Sequence, residues 1–421
     1  MFEWSETDEM IRESVRAFID KEVRPHLDEL EHGDLPPYDI MRKLFAEFGL
    51  DVLAGEAVDK RLAAEQAKAD RIAAGEPAAE KKTSGKKGGN PLAAQASMAA
   101  VLISELTGVT LGSVAAVGVS LGLGAATIAT RGTPAQQRRW LKDIVTLEKV
   151  AAWAITEPDS GSDAFGGMKT YVRREGEDYI LNGQKTFITN GPYADTAVVY
   201  AKLDEGDGAG KRERKVLTFV LDKGMEGFTQ GKPLEKMGMH SSPTGELFFD
   251  NVRLSKDRLL GETEDHTGGD GRESARSSFI VERVGCAILS LGIINECHRL
   301  CIDYAKSRTL WGREIGRFQL IQLKLAEMEV ARLNVENMVF NALESFAAGK
   351  LPTLAQASAM KLYSTRAATD VAMEAVQLFG GNGYMAEYRV EQLARDAKSL
   401  MIYAGSNEIQ VTHVAKGLLT L

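Results

Sequence analysis

Three patterns of apolar and polar positions succeed one another along the chain. Over residues 1–150 apolar residues recur at three- and four-residue intervals. Ile11, Val15, Phe18 and Ile19 share one face of a helix predicted over Thr7–Lys21, with Ser5 placed to cap it. Pro36-Pro37 opens a second short helix through Leu44 to Phe48, and Gly49 suits its end. Gly108–Thr130 carries no charge before Arg131 and has the length of a membrane span. Its content is mostly Gly, Ala, Ser and Thr, which offer little transfer energy, so it predicts a helix packed inside protein and no membrane span.

From 151 to 262 the period becomes two. Asp178–Asn190 reads as two strands joined by a hairpin turn at Asn182-Gly183, and Thr196–Lys202, Lys215–Leu221 and Glu246–Leu254 continue the strand pattern. After a polar loop over Glu262–Glu273, helical spacing returns from about 275 to 420, in Phe279–Lys306, Leu320–Ala348 and Thr353–Phe379. Gly380-Gly381 suits a positive-φ cap. The expected fold is α+β and multidomain: an N-terminal helical domain (1–150), a middle β domain (151–262) and a C-terminal helical bundle (263–421). Residues 54–90 interrupt the first domain as an Ala/Lys-rich insertion. It predicts a helix over Lys60–Ala74 and a solvated run over Lys81–Gly89, with too few large apolar side chains to add much core.

Composition narrows the function. The 421 residues carry 51 basic and 59 acidic side chains, a net −8, which gives no electrostatic reason to expect nucleic acid. Cys286, Cys297 and Cys301 form no CxxC pair; Cys297 and Cys301 flank His298 at helical spacing, compatible with zinc but read here as small buried apolar residues. With the acidic start MFEWSETDEM, unlike a secretory or Arg-rich transit segment, they predict a reducing, cytoplasmic setting. Neither HExxH, GxSxG nor Walker A occurs and the six His are scattered, so no metal centre or serine nucleophile is expected.

Three places carry candidate chemistry. In Phe279–Asn295 only Glu282 and Arg283 are charged. A carboxylate on so apolar a helix is either buried, with its pKa raised toward that of a general base, or solvated near the helix start where the dipole favours it. The loop Thr156–Asp163 offers hydroxyls and free N–H groups to a phosphate or a polar ring, or is an ordinary Asx/Ser turn. Gly380–Gly383 is a phosphate cradle or a helix cap, without the strand–GxGxxG–helix setting of a dinucleotide fold.

Six segments in order then resemble the acyl-CoA dehydrogenase family of flavoproteins over nearly the whole chain: Ala154–Asp163, Leu181–Gly191, Lys236–Val252, Tyr304–Gly316, Gln377–Gly383 and Arg395–Gln410. The resemblance implies the same three-domain fold with a C-terminal four-helix bundle, a homotetramer built as a dimer of dimers, and FAD held between the β domain and the C-terminal helices, completed by a neighbouring subunit. By position it assigns Trp153, Ile155, Thr156 and Ser162 to the flavin ring and diphosphate, and Phe187, Ile188 and Thr189 to the strand against the ring. Arg308, Trp311, Gln377 and Gly381 fall to the diphosphate and adenosine side, and Ser406 and Glu408 to the last flavin-contacting loop. Ser162, Arg283, Tyr403 and Gly405 fall at the acyl-CoA substrate.

Many members carry their base in a YEG[ST] motif, which here reads Tyr403-Ala404-Gly405-Ser406, and Ala404 cannot abstract a proton. Isovaleryl- and long-chain-type branches place the Glu earlier, directly before an Arg, and Glu282-Arg283 matches that arrangement. The implied reaction in lipid metabolism is removal of the pro-R-type α-proton by Glu282 with hydride transfer from the β-carbon to flavin N5, giving the trans-2-enoyl-CoA. The Ala404 N–H helps polarise the thioester carbonyl, and electrons leave to an electron-transfer flavoprotein. Two positions depart from the family: residues 54–90 replace its Gly-rich loop, and Val411 stands where Arg is common, with Lys416 a partial substitute. An acyl-CoA oxidase, a flavin monooxygenase of the same fold and a non-catalytic subunit of a hetero-oligomer are the alternatives. Flavin motifs kept together with Glu282 favour the dehydrogenase.

Overall fold

The computed structural model describes residues 4–74, 91–208, 210, 212–266 and 269–420. The expected run Lys81–Gly89 lies outside the described residues.

The first helical region comprises α1 (Glu6–Phe18), α2 (Leu27–His32), α3 (Tyr38–Glu47), α4 (Leu50–Ala73), α5 (Pro91–Gly118), α6 (Ala126–Arg131) and α7 (Pro134–Val145). Ser5 caps α1 as its spacing predicts: its hydroxyl accepts the Asp8 N–H at 3.1 Å while Asp8 accepts the Ser5 N–H at 3.0 Å. The α-helical part stops at Phe18 rather than Lys21, because Ile19–Val23 widens into a π turn. Gly49, at φ +64, separates α3 from α4. The insertion folds into α4 as far as Ala73 and, as its composition predicts, adds little core among the described residues: Val58 beside Trp140 and Ile144 of α7, with Leu62 partly buried against them. Gly108–Thr130 is helix inside protein, as expected, bent at Thr110 where the backbone leaves helical angles.

Strands β1 (Ala151–Ala154), β2 (Tyr171–Glu175), β3 (Asp178–Thr189), β4 (Thr196–Leu203), β5 (Val216–Asp222), β6 (Phe228–Gln230) and β7 (Thr244–Leu254) form one curled sheet. Its order is β1-β4-β2-β3-β7-β6, with β5 pairing β4. Every residue of β4 is buried because both faces of the sheet are covered. Its alternation sends Ala197, Val199 and Ala201 into the concave core, and Val198 and Tyr200 toward α7. The expected hairpin turn at Asn182-Gly183 is a correction. β3 runs straight through that dipeptide with a bulge opposite β7, and the turn joining β2 to β3 is Gly176-Glu177. Gly183 sits at φ +142 against Thr170, whose Cα would lie 2.7 Å from an added Cβ, so its glycine serves close backbone approach rather than a turn.

The chain returns to helix four residues before the expected 275, in α8 (Gly271–Ser307), because the Asp270 side chain caps it by accepting the Arg272 N–H at 2.9 Å. A two-stranded hairpin of β8 (Thr309–Leu310) and β9 (Arg313–Glu314) follows. Then come α9 (Gln319–Ala347), α10 (Leu354–Phe379), ended by Gly380 at φ +63, α11 (Val390–Leu400) and α12 (Asn407–Leu419). One core joins α8–α11 to α5. Helices α5 and α8 meet through glycines: a Cβ at Gly292 would stand 2.3 Å from the Ser104 carbonyl, and one at Gly108 3.1 Å from the Gly292 carbonyl. The continuous helical run Ala96–Arg131, from α5 through α6, and α8 are each long and apolar enough to cross a membrane, yet more than half of each apolar stretch is buried inside the protein. All three cysteines are buried thiols, as expected, and among the described residues no group of His, Cys, Asp or Glu has the arrangement of a metal site.

Candidate active site

Glu282 lies three turns inside α8, so the reading in which it is solvated at the helix start does not hold. It is half-buried. Burial pushes its carboxyl up to about 7, against Arg283 and Lys361, whose charges favour the carboxylate. Arg283 is buried beside it, donates to the Ser358 hydroxyl at 2.9 Å and lies 5.5 Å from the Phe279 ring centroid.

The turn between α11 and α12 approaches the same place. Ala404 (φ +56) and Gly405 (φ +79) form a left-handed pair, and a Cβ on Gly405 would stand 3.7 Å from an Arg283 guanidinium nitrogen. The Gln410 amide donates to the carbonyls of Ala404 at 3.1 Å and Gly405 at 2.7 Å. Among the described residues the Ala404 N–H has no acceptor. The Tyr403 hydroxyl is shut off from solvent without a hydrogen-bond partner among the described residues, and burial, with Cys286 and Glu282 nearby, raises its pKa. Glu282, Arg283, Tyr403, Ala404 and Gly405, separated by up to 123 positions in the sequence, therefore come together.

A second group lies on the sheet. Trp153 is buried, its indole N–H donating to the Tyr200 hydroxyl at 3.2 Å, and Ile188 points into the concave core, so both reach a ligand only at their edges or through their backbone. Ile155 is buried, Thr156 and Thr189 are half-buried, and Ser162 is exposed. Phe187 is 68% exposed at φ +56, an uncommon conformation for a bulky residue. The Thr156 loop is fastened to β3: the Thr186 N–H donates to the Thr156 carbonyl at 3.0 Å, and Lys185 meets Glu157 at 2.9 Å in a buried ion pair.

The third group is open to solvent. Arg308 ends α8; Trp311, 86% exposed at φ +49, forms the tip of the β8–β9 hairpin; Gln377 and Gly381 are exposed at the end of α10. No hydrogen bond or ion pair among the described residues joins these four to Glu282. Ser406 precedes α12 as its N-cap residue, and Glu408 is exposed in its first turn, its carboxyl lowered by its own N–H and Ser406.

The sequence reading missed Lys185 paired with Glu157, and Lys361, fully buried on α10. Lys361 did leave a signal: it interrupts a helical row of small residues, Ala357, Ser358, Ser364, Thr365 and Ala368. It also missed a buried cluster where three regions meet. There Glu31 of α2 accepts from Ser241 at 3.0 Å, and Asp396 of α11 accepts the Met239 N–H at 2.5 Å.

Family models match the chain in order: acyl-CoA dehydrogenase N-terminal domain over 5–56 and 85–148, middle domain over 152–252, and C-terminal domain over 269–419. The N-terminal match omits 57–84, most of the insertion read from composition. An acyl-CoA dehydrogenase of Bacillus subtilis is 33% identical over 97% of both chains. The CarC subunit of a caffeyl-CoA reductase–Etf complex of Acetobacterium woodii is 33% identical, again over 97% of each. The solved butyryl-CoA dehydrogenase of Megasphaera elsdenii superposes with a TM-score of 0.82 at 30% identity, covering all of both chains.

Proposed function

The chain belongs to the acyl-CoA dehydrogenase family of FAD-dependent oxidoreductases, and from that premise we propose that Glu282 is the base that removes the α-proton of an acyl-CoA thioester. The observation that carries this reading is the meeting of a carboxylate held near neutrality with a left-handed turn whose Ala404 N–H lacks an acceptor. An N–H aimed at the oxygen where charge develops is what proton abstraction beside a carbonyl requires. A base whose pKa lies near the operating pH combines the reactive protonation state with driving force.

The residues at hand suit FAD. Phe187 and Trp311 are largely exposed aromatic rings, Arg308 offers a charge-assisted donor to a diphosphate, and nothing crowds Gly161 or Gly381 within 4 Å of an added Cβ. Thr156, Ser162, Ser406 and Gln377 would supply further polar contacts. Bound FAD supplies the acceptor for the hydride that leaves the β-carbon. The protein's part is to hold the thioester with its carbonyl on the Ala404 N–H, keep Arg283 and Tyr403 against the substrate, and receive the α-proton on the Glu282 carboxylate. The electron partner is an electron-transfer flavoprotein, a reading supported by the Etf-associated relative. Self-association into a tetramer is supported by the exposed row Leu320, Leu323, Val330 and Leu333 on α9.

The test is anaerobic titration with acyl-CoAs of graded length, following the flavin band. The wild type bleaches, with a rate that rises with pH through about 7 as Glu282 ionises. Glu282→Gln, folded and yellow, reduces at least about 100-fold more slowly. Bleaching at the wild-type rate in that variant removes the base assignment.

A further inference from the structure

Lys361 is buried completely on α10, and no carboxylate among the described residues lies within ion-pair distance of it. Its ammonium donates to the Gly405 carbonyl at 2.9 Å and to the Asn407 side-chain oxygen at 3.0 Å. Asn407 is buried too, and its oxygen also accepts from the Thr365 hydroxyl at 3.2 Å. The ammonium thus ties the second residue of the left-handed turn to the first residue of α12. Both carbonyls of that turn are held, Ala404's by Gln410 alone and Gly405's by Gln410 and Lys361 together.

A neutral amide could make the same two hydrogen bonds without burying a charge. What a cation adds is a field. The titratable groups facing it are Glu282, Arg283 and Cys286 on α8 and Glu408 on α12, with Tyr403 on the intervening turn beside Glu282. Arg283 repels it, and the Cys286 thiol is pushed up to about 12 by burial and stays neutral. Glu408 is exposed to solvent, which screens it. Glu282 is the half-buried anion in the set.

We propose that Lys361 is a positioning residue of this site, fixing the Ala404–Gly405 turn through the Gly405 carbonyl and Asn407 with its N–H open toward the substrate, and placing a buried positive charge within electrostatic reach of Glu282. The inference rests on reading Glu282 as the base and the Ala404 N–H as the carbonyl donor. Burial pushes Lys361 down to about 8 and Glu282 up to about 7, and each charge offsets part of the other's shift.

Two variants separate field from scaffold. Lys361→Met keeps the length and removes both charge and donors; Asn407→Asp keeps the hydrogen-bonded shape and sets a negative charge beside the ammonium. Each is purified with FAD, checked by flavin absorbance and thermal unfolding, and reduced anaerobically. The substrate is butyryl-CoA, or whichever acyl-CoA of a graded series bleaches the wild type fastest, from about pH 5.5 to about pH 9. In Lys361→Met the saturating rate falls about ten-fold or more, half-saturation changes less than about three-fold, and the acid limb moves up by about one pH unit. In Asn407→Asp the limb moves the same way with a smaller loss of rate at high pH. A folded, yellow Lys361→Met with wild-type rate and limb overturns the proposal. So does one that loses only stability or FAD while its remaining loaded fraction keeps both. If Lys361→Met holds no FAD, Asn407→Asp decides: an unmoved limb is the overturning result. Glu282→Gln runs in the same assay. Wild-type reduction there removes the base reading itself, whereas a slow Glu282→Gln beside wild-type Lys361 and Asn407 variants removes only the role of Lys361.

Discussion

Replacing Lys185 with methionine isolates the buried pair that fastens the Thr156 loop to the sheet. Glu157 is 4% exposed and its oxygens accept from Lys185 at 2.9 Å, the Thr170 N–H at 3.0 Å and the Lys169 N–H at 2.5 Å. Lys185 is 0% exposed and also donates to the Ile155 carbonyl at 3.0 Å. Lys185→Met keeps the volume but leaves a buried carboxylate with two backbone donors and a carbonyl with none. Breaking a buried pair from one side costs about 3–5 kcal/mol, and the two remaining N–H groups place this case near about 3 kcal/mol. At roughly 2–4 °C per kcal/mol, the expected drop in Tm at pH 7 is about 6–12 °C.

The pH dependence has a definite sign. Burial pushes Glu157 up, but Lys185 and the N–H groups outweigh it, so the carboxyl sits below its ordinary value. In the wild type its contribution is present above the ordinary carboxylate value and is lost only as pH falls through the lower folded value. Without Lys185 burial dominates and the folded carboxyl moves above its ordinary value, so the variant takes up a proton as pH falls. The Tm gap therefore narrows from pH 7 toward about pH 5. The assay is thermal unfolding followed by circular dichroism and by flavin release at both values, with Glu157→Gln/Lys185→Met as the partner variant. The double variant recovers more than half of the loss, because an amide can accept from the Lys169 and Thr170 N–H groups. A single variant within about 1 kcal/mol of wild type at pH 7 would refute the reasoning, since it would mean that the carboxylate is solvated or that the loop is held by other means.

Two further expectations follow from other buried contacts. Burial and the neighbouring Glu31 push Asp396 up, so the folded state binds its proton more tightly than the unfolded chain, and this group's favourable contribution fades as pH rises toward neutrality. Asp396→Asn, which keeps an acceptor for the Met239 N–H, should raise Tm by a few degrees at pH 8 and by less at pH 5; equal shifts at both would contradict this. Gly292→Ala places a methyl 2.3 Å from the Ser104 carbonyl and 2.8 Å from the Thr107 Cβ, forcing α5 and α8 apart. Its cost of about 1–3 kcal/mol by denaturant unfolding should exceed that of Gly285→Ala on the same helix, where nothing lies within 4 Å.

Element type and order could be read from periodicity, because a helix or strand advertises its buried face at fixed spacing whatever it packs against. The α1 cap, the α5 stretch of small residues and the Gly380 terminus belong to that class, since the interactions that specify them are local. The order of motifs likewise carried the family and singled out Glu282-Arg283 once Ala404 had taken the place of a base. Gly183 could not be read correctly: an Asn-Gly pair makes a hairpin turn or a bulge according to what lies opposite, and Thr170 decides it. The buried cations were harder still: Lys361 left only its place in a row of small residues, and Lys185 left no signal. A lysine in a sequence looks solvated, and only the fold brings Lys185 to Glu157 across 28 residues and Lys361 to Gly405 across 44. Whether Glu282 is a surface charge or a base poised near neutrality depends on the same thing. Its proton affinity is set by how much water the packed helices exclude and by which distant charges remain beside it, and neither is a property of the residues next to it in the chain.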